Sequence, residues 1–232
     1  MIAARPIANQ CQRIVSVTRI SHDAERRSAC MAVSPTIGPA AMDVDDPQLS
    51  AGEIDALARR IDRPVVLVGM MGVGKTSVGK RLAAALHAPF VDADDEIEKS
   101  AQMTISDIFA RYGEDHFRDG ERRVIARLIE ENGGRAVIAT GGGAFCNPQT
   151  RALILDKAIA IWLDSDIDTL VERTARKSHR PLLQNGDPRE ILTRLREERL
   201  PHYSQAPIHV ISGNGPHGKA VARVLKGIAE WL

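Results

Sequence analysis

Aromatic side chains are scarce in this chain: four Phe, two Trp and two Tyr among 232 residues. So few π-faces leave no stacking platform for single-stranded nucleic acid. Excess charge is missing as well. Lys and Arg together number 31 against 30 Asp and Glu, a net charge of +1. That balance gives no bulk attraction to nucleic acid or to an anionic membrane surface. No apolar run approaches the roughly 18–20 residues that a spanning helix needs. The three cysteines, Cys11, Cys30 and Cys146, show no C-x-x-C or zinc spacing. An odd, sparse count fits free thiols in a reducing cytoplasm, and Cys146 reads as a small packing residue. These absences predict a cytoplasmic protein with no nucleic-acid partner and no membrane association; a monomer is expected, although nothing in the composition sets the oligomeric state. The length suits one domain plus an appendage.

The appendage is at the start. Residues 1–50 hold Pro6, Pro35, Pro39 and Pro47 among small residues and lack sustained periodicity. Such a composition buries little apolar surface and reads as a disordered extension. Two other readings stand beside it. Arg5, Arg13, Arg19, Arg26 and Arg27 invite a transit peptide, although Asp23 and Glu25 interrupt the run. Met31 and Met42 could each begin a shorter product. Ser50-Ala51-Gly52-Glu53 then has the form of a capping box, opening a short lead-in helix within residues 51–62.

Glycine is placed where chemistry needs it. Gly69 to Thr76 read G-M-M-G-V-G-K-T, the pattern G-x-x-x-x-G-K-[ST]. An apolar run, Val65 to Val68, precedes it as a strand should, and a helix-forming stretch, Ser77 to Leu86, follows. Glycines let successive backbone N–H groups turn inward around phosphate oxygens. The helix adds the positive end of its dipole. The loop amides of Gly72, Val73, Gly74 and Ser77 suit the phosphates of a nucleoside triphosphate. Lys75 adds a point charge, and Thr76 a hydroxyl for Mg²⁺.

From Arg63 onward, strand and helix patterns alternate. Strands are predicted at 64–69, 89–92, 136–140, 158–163 and 208–211. Helices are predicted at 75–87 and 94–101, from Thr104, at 114–131, from Asn147-Pro148, at 166–176 with Ser165 as cap, from Asp187-Pro188 to about 200, and at 219–232. Five short strands alternating with helices predict an α/β fold, a parallel sheet covered on both faces. Its ligands belong at the carboxyl ends of the strands. Three segments should therefore converge: the Gly69–Thr76 loop, Asp92-Ala93-Asp94, and Gly141-Gly142-Gly143.

Each segment has a plain reading beside a chemical one. Asp92 and Asp94 open an acidic helix start, or they divide a metal water and a substrate hydroxyl between them. Arg118 and Glu121 share a helix face, which by itself is common on a surface. Three consecutive glycines form a tight turn, or admit a close neighbour. Arg173, Arg176, Lys177, His179 and Arg180, followed by Pro181 and Gly186, have the makeup of a mobile lid over about 177–187.

Taken together, G-M-M-G-V-G-K-T, D-A-D, F-R-D-G-E, G-G-G, R-P-L-L and E-E-R-L-P-H-Y occur in the order and at spacing similar to those of shikimate kinase. The resemblance covers residues 63–232. It implies a P-loop kinase fold and ATP- and Mg²⁺-dependent phosphorylation of the 3-hydroxyl of shikimate, in aromatic amino acid biosynthesis. By motif, Lys75 and the loop amides would bind ATP, and Thr76 and Asp92 would hold Mg²⁺. Asp94 would grip the shikimate hydroxyls. Arg118 and Arg199 would clamp its carboxylate, and the Gly142 backbone would meet the substrate. Arg173 would lie against adenine, and Arg180 would be the lid arginine. Lys75, Asp94 and Arg180 would be the catalytic set. A final adenine-contacting segment falls near Ser212 to Pro216 without residue-by-residue alignment. A gluconate kinase is the nearest rival. A nucleoside monophosphate kinase would need a second base pocket. A signalling GTPase would need N-K-x-D and D-x-x-G, and neither string occurs.

Overall fold

The computed structural model describes residues 49–132, 134–175, 186–213 and 215–232. All of them lie in one compact unit, Asp43–Leu232. The N-terminal extension through residue 48, Arg180 and nearly all of the expected lid lie outside the described residues.

The chain enters through helix α1 (Ala51–Arg60), whose capping box is complete: Ser50 and Glu53 satisfy each other's backbone N–H groups. Leu57, Ala58 and Ile61 belong to the main core, so this helix is packed into the domain it leads to. The sheet is formed by β1 (Val65–Val68), β2 (Phe90–Asp92), β3 (Val137–Ala139), β4 (Ile159–Asp164) and β5 (Ile208–Ile211). All pairings are parallel, in the order β2-β3-β1-β4-β5. Every residue of β1, β3 and β4 is buried. That matches their apolar sequence, in which Asp164 at the end of β4 is the one charged residue, and the covering of both faces by helices. At the edge, β5 alternates buried and exposed residues. The helices are α2 (Lys75–Ala85), α3 (Ala93–Ala101), α4 (Ile105–Glu131), α5 (Pro148–Lys157), α6 (Ile167–Ala175), α7 (Pro188–Tyr203) and α8 (His217–Trp231). A short 3₁₀ turn, Ala144–Cys146, follows the triple glycine.

The two helices predicted from Thr104 and over 114–131 are present and meet end to end in α4, with a non-helical kink at Gly113 (φ 79°, ψ 176°) between them. Glycine takes that conformation without a Cβ clash, so the helix bends and resumes. Two other local expectations are corrected. The cap of α6 is Asp166, which accepts from the Thr169 N–H at 2.7 Å and from the Thr169 hydroxyl at 2.8 Å. Ser165, predicted for that role, is buried with its hydroxyl unpartnered; the carboxylate one residue on reaches the free N–H groups better. Helix α7 runs through Pro201 to Tyr203 instead of ending near 200. No helix among the described residues is long and apolar enough to cross a membrane.

Candidate active site

The site is built at the carboxyl ends of β1, β2 and β3. After β1 the chain turns through the phosphate-binding loop into α2. Gly74 precedes that helix at φ 98°, ψ 22°, a left-handed conformation that glycine adopts without strain. Lys75 folds back over the loop and donates to the carbonyls of Gly69 (2.8 Å) and Met70 (2.9 Å). One residue on, the Thr76 hydroxyl donates to Asp92 Oδ2 at 2.9 Å. Asp92 ends β2 and caps α3, its Oδ1 accepting from the Asp94 N–H at 3.1 Å. The P-loop threonine and the first aspartate of D-A-D are thereby brought together.

The second aspartate faces the triple glycine. A Cβ at Gly141 would lie 2.8 Å from Asp94 Oδ1 and 2.8 Å from Glu121 Oε1. At Gly142 it would meet the Met71 N–H nitrogen at 3.3 Å and Arg199 Nη1 at 3.4 Å. At Gly143 it would collide with the Arg118 guanidinium, 2.7 Å from Cζ. Each glycine thus leaves room for a different charged group, and the middle one lies against the phosphate-binding loop. The predicted set Asp94, Arg118, Gly142 and Arg199 converges on this turn.

Buried charge shapes the pocket. Burial and the neighbouring Asp92 charge push the Asp94 carboxyl up to about 6, with Lys75 and Arg118 acting against them. Burial also raises Glu121, opposed by Arg118. Glu121 is 1% exposed. Its Oε2 accepts from Arg118 Nη1 at 2.7 Å, while Oε1 has no partner. Arg118 also donates to Glu114 at 3.2 Å. Arg199 donates to the Gly142 carbonyl at 3.2 Å, and the Tyr203 hydroxyl donates to the same oxygen.

At the other end of the loop, Arg173 donates to the Val73 carbonyl at 3.2 Å and to Gly213 at 2.9 Å. Arg173 therefore ties Gly213 to the phosphate-binding loop. His217, at the start of α8, packs beside Gly74. Burial, with Arg81 and Arg173, lowers its pKa. Cys146 is a half-buried free thiol packed against the core, as expected of a packing residue, and burial raises its pKa. Two residues of the site had no assigned role from sequence. Glu121 was signalled by its i+3 spacing from Arg118. Tyr203 closes a quoted motif, but its target lies 61 residues away.

Comparison with known proteins agrees with this geometry. A family model described as shikimate kinase matches residues Met71–Ala229. A shikimate kinase of Novosphingobium aromaticivorans is 63% identical over 193 residues, covering 82% of this chain and all of that one. A shikimate kinase of Bradyrhizobium diazoefficiens is 52% identical, over 80% of this chain and 89% of its own. Among solved structures, the shikimate kinase of Acinetobacter baumannii in complex with shikimate superposes with a TM-score of 0.66 at 32% identity. That match covers 78% of this chain and 96% of that one. With the phosphate-binding loop, the D-A-D pair and the arginine-flanked glycine turn gathered at the carboxyl ends of the strands, the chain belongs to the shikimate kinase family.

Proposed function

We propose that this enzyme transfers the γ-phosphoryl group of ATP to the 3-hydroxyl of shikimate, giving shikimate 3-phosphate and ADP. The observation that carries the reading is the glycine turn. It holds two arginines and a half-buried aspartate around one small space that adjoins the phosphate-binding loop. A small acid with vicinal hydroxyls fits that set. Its carboxylate meets the guanidinium forks of Arg118 and Arg199, and its hydroxyls meet Asp94.

The loop amides of Gly72, Val73, Gly74 and Ser77 cradle the ATP phosphates. Lys75 exchanges its two carbonyl contacts for phosphate oxygens. Arg173 orders the nucleoside end by joining Val73 to Gly213. Asp94 orients the acceptor hydroxyl and is placed to take its proton as the oxygen bonds to phosphorus and ADP leaves. A largely dissociative transition state demands positioning and charge neutralisation more than a strong base. The role of Arg180 in neutralising the transferring group rests on its motif, because it lies outside the described residues.

Thr76 and Asp92 fit a Mg²⁺ ion. The threonine hydrogen is used toward Asp92, which leaves its lone pairs for a cation. The described residues contain no cluster of three His, Cys, Asp or Glu that would form an all-protein metal cage. One or two protein oxygens are what Mg²⁺ takes when substrate phosphates and water complete its shell. When bound, it would neutralise charge on the phosphates. One chain supplies every residue assigned here, which suits a monomer, and the sparse cysteines suit the cytoplasm.

The test is phosphorus NMR of the product with shikimate, gluconate and nucleoside monophosphates offered in turn. A single phosphomonoester at the shikimate 3-position is expected. Phosphorylation elsewhere, preference for another acceptor, or ATP hydrolysis alone would reject the reading.

A further inference from the structure

Helix α7 turns one face toward the glycine turn. Arg196, Arg199 and Tyr203 follow one another at i, i+3 and i+7, so they stack along a single stripe. Leu192 and Leu195 fill the same side and are buried. The first member anchors the helix: Arg196 Nη2 pairs with Asp164 Oδ2, at the end of β4, at 2.9 Å. The second, Arg199, donates to the Gly142 carbonyl at 3.2 Å. The third, Tyr203, is 1% exposed. Its ring stacks on Trp162 of β4, with centroids 6.1 Å apart and planes 24° apart.

The hydroxyl of Tyr203 is the informative atom. Filling this space needs only a ring, and phenylalanine would supply it. A buried hydroxyl is tolerated only with a partner, and here the partner is the Gly142 carbonyl. Burial raises the phenol above its ordinary range, so it stays protonated and able to donate. The same oxygen lies 3.9 Å from Met70 Sδ, in the phosphate-binding loop. One carbonyl therefore receives two donors from one helix. A trans peptide is planar, so holding the Gly142 oxygen also fixes the Gly143 N–H, which lies in the same plane and points the opposite way. Gly143 is the residue that faces Arg118, and Gly142 faces Met71.

We propose that Tyr203 is a positioning residue for the acceptor site: its hydroxyl sets the Gly142–Gly143 peptide plane, and so holds the glycine turn between Arg118, Arg199 and the phosphate-binding loop. The inference rests on the shikimate reading above. It adds a residue that never touches substrate and acts through a backbone carbonyl.

Tyr203→Phe is the test, because it removes one oxygen and keeps the ring on Trp162. The KM for shikimate should rise about tenfold, the scale of one buried hydrogen bond. The KM for ATP should stay within about twofold, and the melting temperature within a few degrees, by the same principle. Without any substrate, amide exchange at Gly142 and Gly143 should speed up severalfold. Unchanged shikimate KM and unchanged exchange would overturn the proposal. Equal losses for both substrates together with a large fall in melting temperature would also overturn it, leaving Tyr203 a packing residue. If the unaltered enzyme does not phosphorylate shikimate, the functional reading fails, while the exchange experiment still decides the role of the hydroxyl.

Discussion

Thr76 and Asp92 meet across two elements, the hydroxyl at the start of α2 donating to the carboxylate at the end of β2 at 2.9 Å. Neither residue alone distinguishes a metal site from a helix cap. The other oxygen of Asp92 caps α3, so under the proposed function one carboxylate would do both jobs.

Asp92→Asn separates those jobs. Asparagine caps a helix about as well as aspartate but brings no charge to a cation. Fold and melting temperature should hold, while the Mg²⁺ concentration for half-maximal turnover rises about 10- to 100-fold, as for other disturbed metal environments. A titration of activity against Mg²⁺ decides it. An unshifted curve would remove Asp92 from the metal site.

Lys75→Ala should cost about 3–4 kcal/mol of transition-state stabilisation, or 10² to 10³ in turnover, by analogy with a lost oxyanion donor. The lysine donates to the Gly69 and Met70 carbonyls of the loop and does not belong to the apolar core, so circular dichroism should show the fold intact. Near-normal steady-state turnover would contradict the assignment.

Arg118 has two roles that two variants resolve. Arg118→Lys keeps the charge beside Glu121 but loses the planar fork. Shikimate affinity should fall at least about tenfold with ATP affinity unchanged, since one good charge-assisted pair is at stake. Arg118→Met leaves the Glu121 carboxylate buried and unpaired, and should cost about 3–5 kcal/mol of stability as well. Calorimetry with each ligand, beside thermal melts, would show whether the two effects part in this way. Loss of ATP binding with shikimate binding intact would misplace the clamp.

Gly141→Ala should silence acceptor binding while sparing the nucleotide. The added methyl falls 2.8 Å from both Asp94 Oδ1 and Glu121 Oε1, and both carboxylates would have to shift. Binding of a nonhydrolysable ATP analogue should persist while shikimate binding is lost. A variant with ordinary shikimate affinity would show that Asp94 does not need its present position.

Truncation should be tolerated up to Leu49 and fail beyond α1. Deleting residues 1–48 leaves the Ser50 cap in place. Deleting residues 1–62 strips Leu57 and Ile61 from the core, each contributing about 1.5–3 kcal/mol by burial. Solubility and melting curves of the two proteins should differ sharply. If the longer deletion melts like the full chain, α1 is dispensable.

Local chemistry was legible in the sequence, and long-range geometry was not. The phosphate-binding loop declares itself within eight residues because glycine, lysine and threonine must be close in sequence to surround one phosphate. The strands were recognisable because burial on both faces leaves unbroken apolar runs, such as Val65 to Val68. The two segments of α4 were separable in the sequence because each carries its own start, Thr104 for one and Glu114 for the other, and the kink at Gly113 falls between them. Arg199 could be placed in the site through the family resemblance, but its bond to Gly142, 57 residues away, could not. Tyr203 carried no signal beyond its place in a motif, since a phenol reads the same whether it fills space or holds a carbonyl.

The strand order has a consequence for how the protein is made. β1, which ends in the phosphate-binding loop, does not pair with β2, the next strand synthesised. Its partners are β3 and β4, through Val65 with Val137 and Ile159. A growing chain therefore displays the complete loop motif long before the strand beneath it has either neighbour. Pairing over such sequence separations is slow, and an unpaired apolar strand invites aggregation meanwhile. Translation has to pass Asp164 before β1 can be enclosed on both sides, so nucleotide binding cannot assist the early stages of folding.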